Sequence, residues 1–116
     1  MPSNATPDVP DERLTAGVAV LLGSRVAAAV ADADVTMLRS WMLGERPLPE
    51  SARARLGLTL RCVEAVVGSG DAQAAQMWLR SVDTELGVTP LRLLQDGDPA
   101  ADGDALLASA QRFARR

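Results

Sequence analysis

Residues 78 to 98 read Trp78-Leu79-Arg80-Ser81-Val82-Asp83-Thr84-Glu85-Leu86-Gly87-Val88-Thr89-Pro90-Leu91-Arg92-Leu93-Leu94-Gln95-Asp96-Gly97-Asp98. An aromatic-ended helical stretch, a short acidic turn and a Thr-Pro helix start lie within about one loop's length of each other. Thr89 can cap a helix through its hydroxyl, and Pro90 can open it, because the first helical N–H has no partner to lose. Two helices must therefore meet at an angle around Asp83 to Val88. The rest of the chain leads into that corner or out of it.

At 116 residues the chain is long enough for one hydrophobic core and too short for two ordinary domains. Alanine is abundant and β-branched runs are short, so the composition favours an all-α bundle. Trp41, Trp78 and Phe113 are the only aromatics, and each reads as a packing anchor rather than a base-stacking platform. With one cysteine, no histidine and no lysine, the chain can build neither an intrachain disulfide nor a zinc cluster. A reducing, cytoplasmic setting is compatible with that usage. The apolar run from Leu14 to Leu22 imitates a secretory core, but Asp8, Asp11 and Glu12 flank it and Arg25 interrupts it, which argues against a signal peptide. Nor does any stretch reach the roughly 18 apolar residues of a membrane span.

Charge is arranged in blocks although the net value is only −3. Arg39, Arg46, Arg53, Arg55 and Arg61 outweigh Glu45 and Glu50. Further on, Asp83, Glu85, Asp96, Asp98, Asp102 and Asp104 face Arg92 alone. Such blocks suit a protein with two different partners, while the net charge suits generic nucleic-acid binding poorly.

Residues 1–10, with Pro2, Pro7 and Pro10 among small polar residues, read as a disordered lead. Helical spacing runs from Asp11 through Leu14, Val18 and Leu22 to Gly23 as a stop, after which Ser24 is placed to cap a second helix across Val26, Ala29 and Val30. Asp32-Ala33-Asp34 reads as a turn, with Asp34 capping a third helix through Leu38, Trp41 and Met42 that Gly44 closes. Two short helices around a tight turn outline a helix-turn-helix-like unit over 11–46, with Thr36, Arg39, Ser40 and Arg46 facing outward as candidate DNA contacts. A small bundle with short helices gives the same outline. The turn lacks glycine and the recognition helix would carry one base, so DNA affinity should be modest unless two copies bind together.

Residues 47–116 form the second part. Pro47-Leu48-Pro49 leads into the longest helix, Glu50 to Val67. At about 100° per residue, Ala52, Leu56, Leu60, Val63 and Val67 fall in one sector and Ala54, Leu58, Cys62 and Ala65 in another. Glu50, Arg53, Arg61 and Glu64 line the strip between. A helix apolar on two sides is packed on two sides, which makes this one the spine. Gly68-Ser69-Gly70 breaks it, Asp71 caps a helix whose Ala72, Ala75, Trp78 and Leu79 share a face, and Asp98-Pro99 opens a last helix with Leu106, Leu107, Ala110 and Phe113 as its apolar stripe. Gly103 weakens the start of that helix by about 1 kcal/mol relative to alanine.

Catalytic residue types are scarce. Without histidine there is no usual general base, and Cys62 lies on an apolar helix sector. Asp96 and Asp98, and Asp102 and Asp104, read as caps and turn solvation rather than acid/base pairs. Gly68-Ser69-Gly70 lacks the Lys-Ser/Thr of a phosphate loop. The expectation is a protein that is not an enzyme and uses no cofactor, metal or small-molecule substrate.

In order and spacing, Trp78, Leu86, Thr89-Pro90, Leu93-Leu94 and Gly97-Asp98, with Leu22-Gly23, Arg39-Ser40-Trp41, Gly44-Glu45, Arg55-Leu56 and Phe113, resemble the Xre/MbcA/ParS-type antitoxins over roughly residues 18 to 116. Asp83-Thr84 stands where members of that family usually carry Asn-Pro, and the loop before the second proline is shorter. The resemblance implies a compact helical bundle with a helix-turn-helix half and a C-terminal toxin-binding corner. It also implies a RES-domain, NAD-degrading toxin as protein partner, operator DNA as a second ligand, and a homodimer. The binding face it implies comprises Trp78, Leu86, Pro90, Leu94 and Asp98, with Phe113, Arg115 and Arg116 near the toxin's active-site cleft. A cleft that holds a pyrophosphate should be rich in donors, beside which the acidic block could dock. The competing readings are a DNA-binding regulator or partner-binding adaptor without a toxin, favoured by the missing Asn-Pro pair, and a purely structural helical scaffold.

Overall fold

The structure, a computed structural model, describes residues 10–68 and 72–115. The lead before Pro10, the link with its expected Asp71 cap, and Arg116 lie outside the described residues. Within them the chain forms seven helices and no strand: α1 (Asp11–Leu22), α2 (Ser24–Val30), α3 (Val35–Met42), α4 (Glu50–Val67), α5 (Ala72–Arg80), α6 (Pro90–Asp96) and α7 (Pro99–Ala114). The all-α bundle read from composition and periodicity is what the chain adopts.

Helix α4 is the spine because its sides meet different neighbours: α7 most extensively, then α1, α5, α2 and α6. Leu56, Cys62, Val63 and Val66 on it are at most 1 % exposed, and burying one such leucine contributes about 2 kcal/mol. Burial departs from the two expected sectors in detail. Ala54 is exposed and Leu60, Ala65 and Val67 are half-buried, while Thr59 is wholly buried. Its hydroxyl donates back to the Arg55 carbonyl at 2.7 Å, so a polar side chain enters the core with its proton satisfied. Thr15 does the same on α1, donating to the Asp11 carbonyl at 2.8 Å. Of the polar strip, Arg53 reaches across to Asp11 at 2.8 Å and ties the start of α4 to α1.

Helix α7 runs alongside α4 in the same direction. Pro99 and Ala100 line a groove with Glu50 and Ala54, and one turn further a Cβ on Gly103 would lie 3.5 Å from the Leu58 side chain. Gly103 is thus buried in an intact helix, where lacking a side chain lets the two helices approach closely.

Local stops behave physically as expected, with two corrections. Gly23 ends α1 at a φ of 92°, and it also occupies the cap position of α2. Ser24 is therefore the first residue of α2 and makes no side-chain cap bond. The Asp32-Ala33-Asp34 turn manages without glycine because Asp32 itself adopts a φ of 56°, a region that aspartate tolerates better than most residues. Asp34 caps α3 by accepting from the Met37 N–H at 2.7 Å. Ala72, expected on the buried face of α5, is exposed, leaving Ala75, Trp78 and Leu79 to make that face.

Candidate partner-binding corner

Helices α5 and α6 are joined by a loop over 81–89, and one carboxylate organises it. The Asp83 N–H donates to the Val88 carbonyl at 3.1 Å, and the Asp83 carbonyl accepts from Leu86 at 3.1 Å and Gly87 at 2.8 Å. Gly87 takes a φ of 77° to close this turn. Asp83 Oδ1 accepts from the backbone of Glu85 at 2.8 Å and of Leu86 at 3.3 Å. Its other oxygen, Oδ2, accepts from the Ser109 hydroxyl on α7 and from Arg112 Nη2 at 2.9 Å. Ser109 in turn accepts from the Trp78 indole N–H at 3.0 Å, and Arg112 Nε donates to Glu85 at 3.1 Å.

The result is a chain of donors from α5 through α7 into the loop, anchored in a core where Trp78 is 2 % and Ser109 1 % exposed. Hydrogen bonds from Ser109 first, then from the Glu85 backbone, Arg112 and the Leu86 backbone, outweigh burial and hold the Asp83 carboxyl down at about 2. It is therefore a fixed anion over the whole neutral range. Cys62 goes the other way: burial, opposed only weakly by Arg61, pushes its thiol up to about 12, so it stays protonated and serves as a small apolar core residue.

Trp78, Pro90 and Leu94 were expected on a partner-facing surface. Their side chains are buried, which corrects that expectation. They form the inside of the corner because α5 and α6 close over the core through their apolar faces. Leu86 and Phe113 are half-buried and packed against the same core. Asp98 is exposed, but its side chain accepts from the Ala100 N–H at 3.0 Å as the cap of α7, and Asp102 returns the favour to the Asp98 N–H at 2.9 Å. Helix α7, at 16 residues, spans about 24 Å. Asp98 therefore sits a helix length away from Arg115. Arg115 is exposed and makes no ion pair among the described residues.

What the corner does expose is Val82 at 67 %, with Thr84, Glu85 and Gly87 beside it. Val82, Ser109 and Arg112 are the residues that sequence reasoning passed over. Ser109 carried a signal: it sits on α7 between Leu106 and Phe113, where the stripe calls for an apolar residue. The acidic block is also less free than its sequence implied. Asp83 and Glu85 engage Arg112, Asp96 pairs with Arg92 at 3.3 Å, and Asp98 and Asp102 cap α7.

On the opposite unit, Thr36, Arg39 and Arg46 are exposed, and Ser40 is half-buried with its hydroxyl returned to the Thr36 carbonyl at 3.3 Å. Arg46 lies beyond the end of α3, in a groove that it shares with Asp11, Glu12 and Glu45. Another groove beside α3 is lined by Asp32, Asp34, Met37, Trp41 and Arg55. Carboxylates thus flank both ends of α3. No three metal-ligating side chains gather among the described residues, and no helix there is long and apolar enough to cross a membrane. No protein-family model matches the chain, and no curated protein or solved structure matches it either.

Proposed function

We propose that this protein acts by covering another protein: an antitoxin of a type II toxin–antitoxin system that binds and neutralises a RES-type, NAD-degrading toxin in the cytoplasm. The observation that carries the reading is the 81–89 loop. Its Asp83 and Glu85 are tied to Ser109 and Arg112 of α7, yet it leaves Val82, Thr84, Glu85 and Gly87 exposed to solvent near that end of α7. An exposed loop held this firmly by side chains is the kind of segment that carries function on a helical scaffold.

In this reading the loop and Arg115 meet the toxin, whereas Trp78, Pro90 and Leu94 support them from inside. Co-expression tests it. The chain should restore growth to cells making the RES-domain protein encoded beside it, and the two should co-purify. A toxin whose effect persists, with no complex recovered, would reject the proposal. Removing everything after Gln111 is a poor probe of the cleft contact, because it also removes Arg112 and loosens the loop. Ending the chain after Ala114 removes Arg115 and Arg116 alone and should raise residual toxin activity.

The second reading, a regulator that binds operator DNA through Thr36, Arg39, Ser40 and Arg46, keeps a place as an added role of a homodimer. Carboxylates beside α3 weigh against it for a single copy, since each repels the phosphate backbone that Arg39 and Arg46 would have to hold.

A further inference from the structure

We draw no further inference here: the strongest candidate, the uncharged groove between α1 and α5 lined by Leu21, Gln73 and Gln76 with the exposed Val20 and Met77 beside them, is an unpartnered face, and nothing in the structure shows what covers it.

Discussion

Replacing Ser109 by alanine should cost far more than the loss of one hydroxyl. In the parent chain the Trp78 indole N–H has Ser109 as its partner inside the core. Without it a buried donor is left unsatisfied, at about 1–3 kcal/mol. Asp83 also loses the bond that contributes most to holding its carboxyl at about 2. Its folded-state value lies below the ordinary value of about 3.9, so its stabilisation is present above pH 4 and disappears as the pH falls towards 2. That depression corresponds to at most about 2.5 kcal/mol, shared with Arg112 and the loop amides. Alanine suits a helix and recovers a few tenths of a kcal/mol. The net expectation is a loss of about 2–3 kcal/mol, or roughly 8–20 °C in melting temperature for a domain of this size. Urea titration followed by tryptophan fluorescence measures it, and repeating it between pH 5 and pH 2.5 should show a shallower acid dependence in the variant. A double-mutant cycle with Trp78→Phe sharpens the test: once the donor is gone, Ser109→Ala should cost at least about 1 kcal/mol less than in the parent. A loss below about 0.5 kcal/mol, or strict additivity in the cycle, would refute the clamp.

Two glycines should respond in opposite ways. A Cβ at Gly103 would find Leu58 at 3.5 Å, so Gly103→Ala should be neutral or stabilise by up to about 1 kcal/mol, whereas Gly103→Leu should destabilise by more than about 2 kcal/mol. At Gly97 a Cβ would stand 2.6 Å from the Leu93 carbonyl oxygen, so thermal melts of Gly97→Ala should show a loss of about 2 kcal/mol or more. Asp34→Ala removes the 2.7 Å cap bond to Met37 and should cost about 1 kcal/mol by the same measurement. Cys62, wholly buried with its thiol raised to about 12, should resist iodoacetamide at pH 8 in the native state and react within minutes in urea; mass spectrometry reads both.

Periodicity carried the helices because each burial stripe repeats over several turns. Asp11–Leu22 and Glu50–Val67 could be read from the spacing of leucine and valine between a proline or acidic start and a glycine stop. The side of the corner that faces solvent was not readable in the same way. Trp78, Pro90 and Leu94 stand out in sequence because they are large or rigid, and those properties suit the inside of a helix junction as well as its outside. Ser109 and Arg112 lay on a helix already understood from Leu106, Ala110 and Phe113. Their link to Asp83 spans 26 and 29 residues, a separation at which no local pattern operates. Asp32 shows the same limit at short range: the turn lacked glycine, and only the backbone reveals that aspartate took its place.

The fate of the acidic block decides how binding should respond to salt. Read along the sequence, Asp83 to Asp104 was a charged face able to steer a partner. In the fold those carboxylates largely complete a loop clamp, a helix cap and two pairs with arginine, which leaves little free charge at the corner. Salt should therefore weaken protein binding there by less than about 3-fold between 50 and 200 mM, because exposed, already paired charges gain little from a partner. Operator binding, on the proposed second reading, would behave differently. Two copies using Arg39 and Arg46 would neutralise about four phosphates, and releasing their counterions gives a roughly 150-fold loss over the same range. One titration series in each ligand separates the two roles. A steep salt dependence of toxin binding would mean that the arginines at the end of α7, and not the clamped loop, dominate the interface.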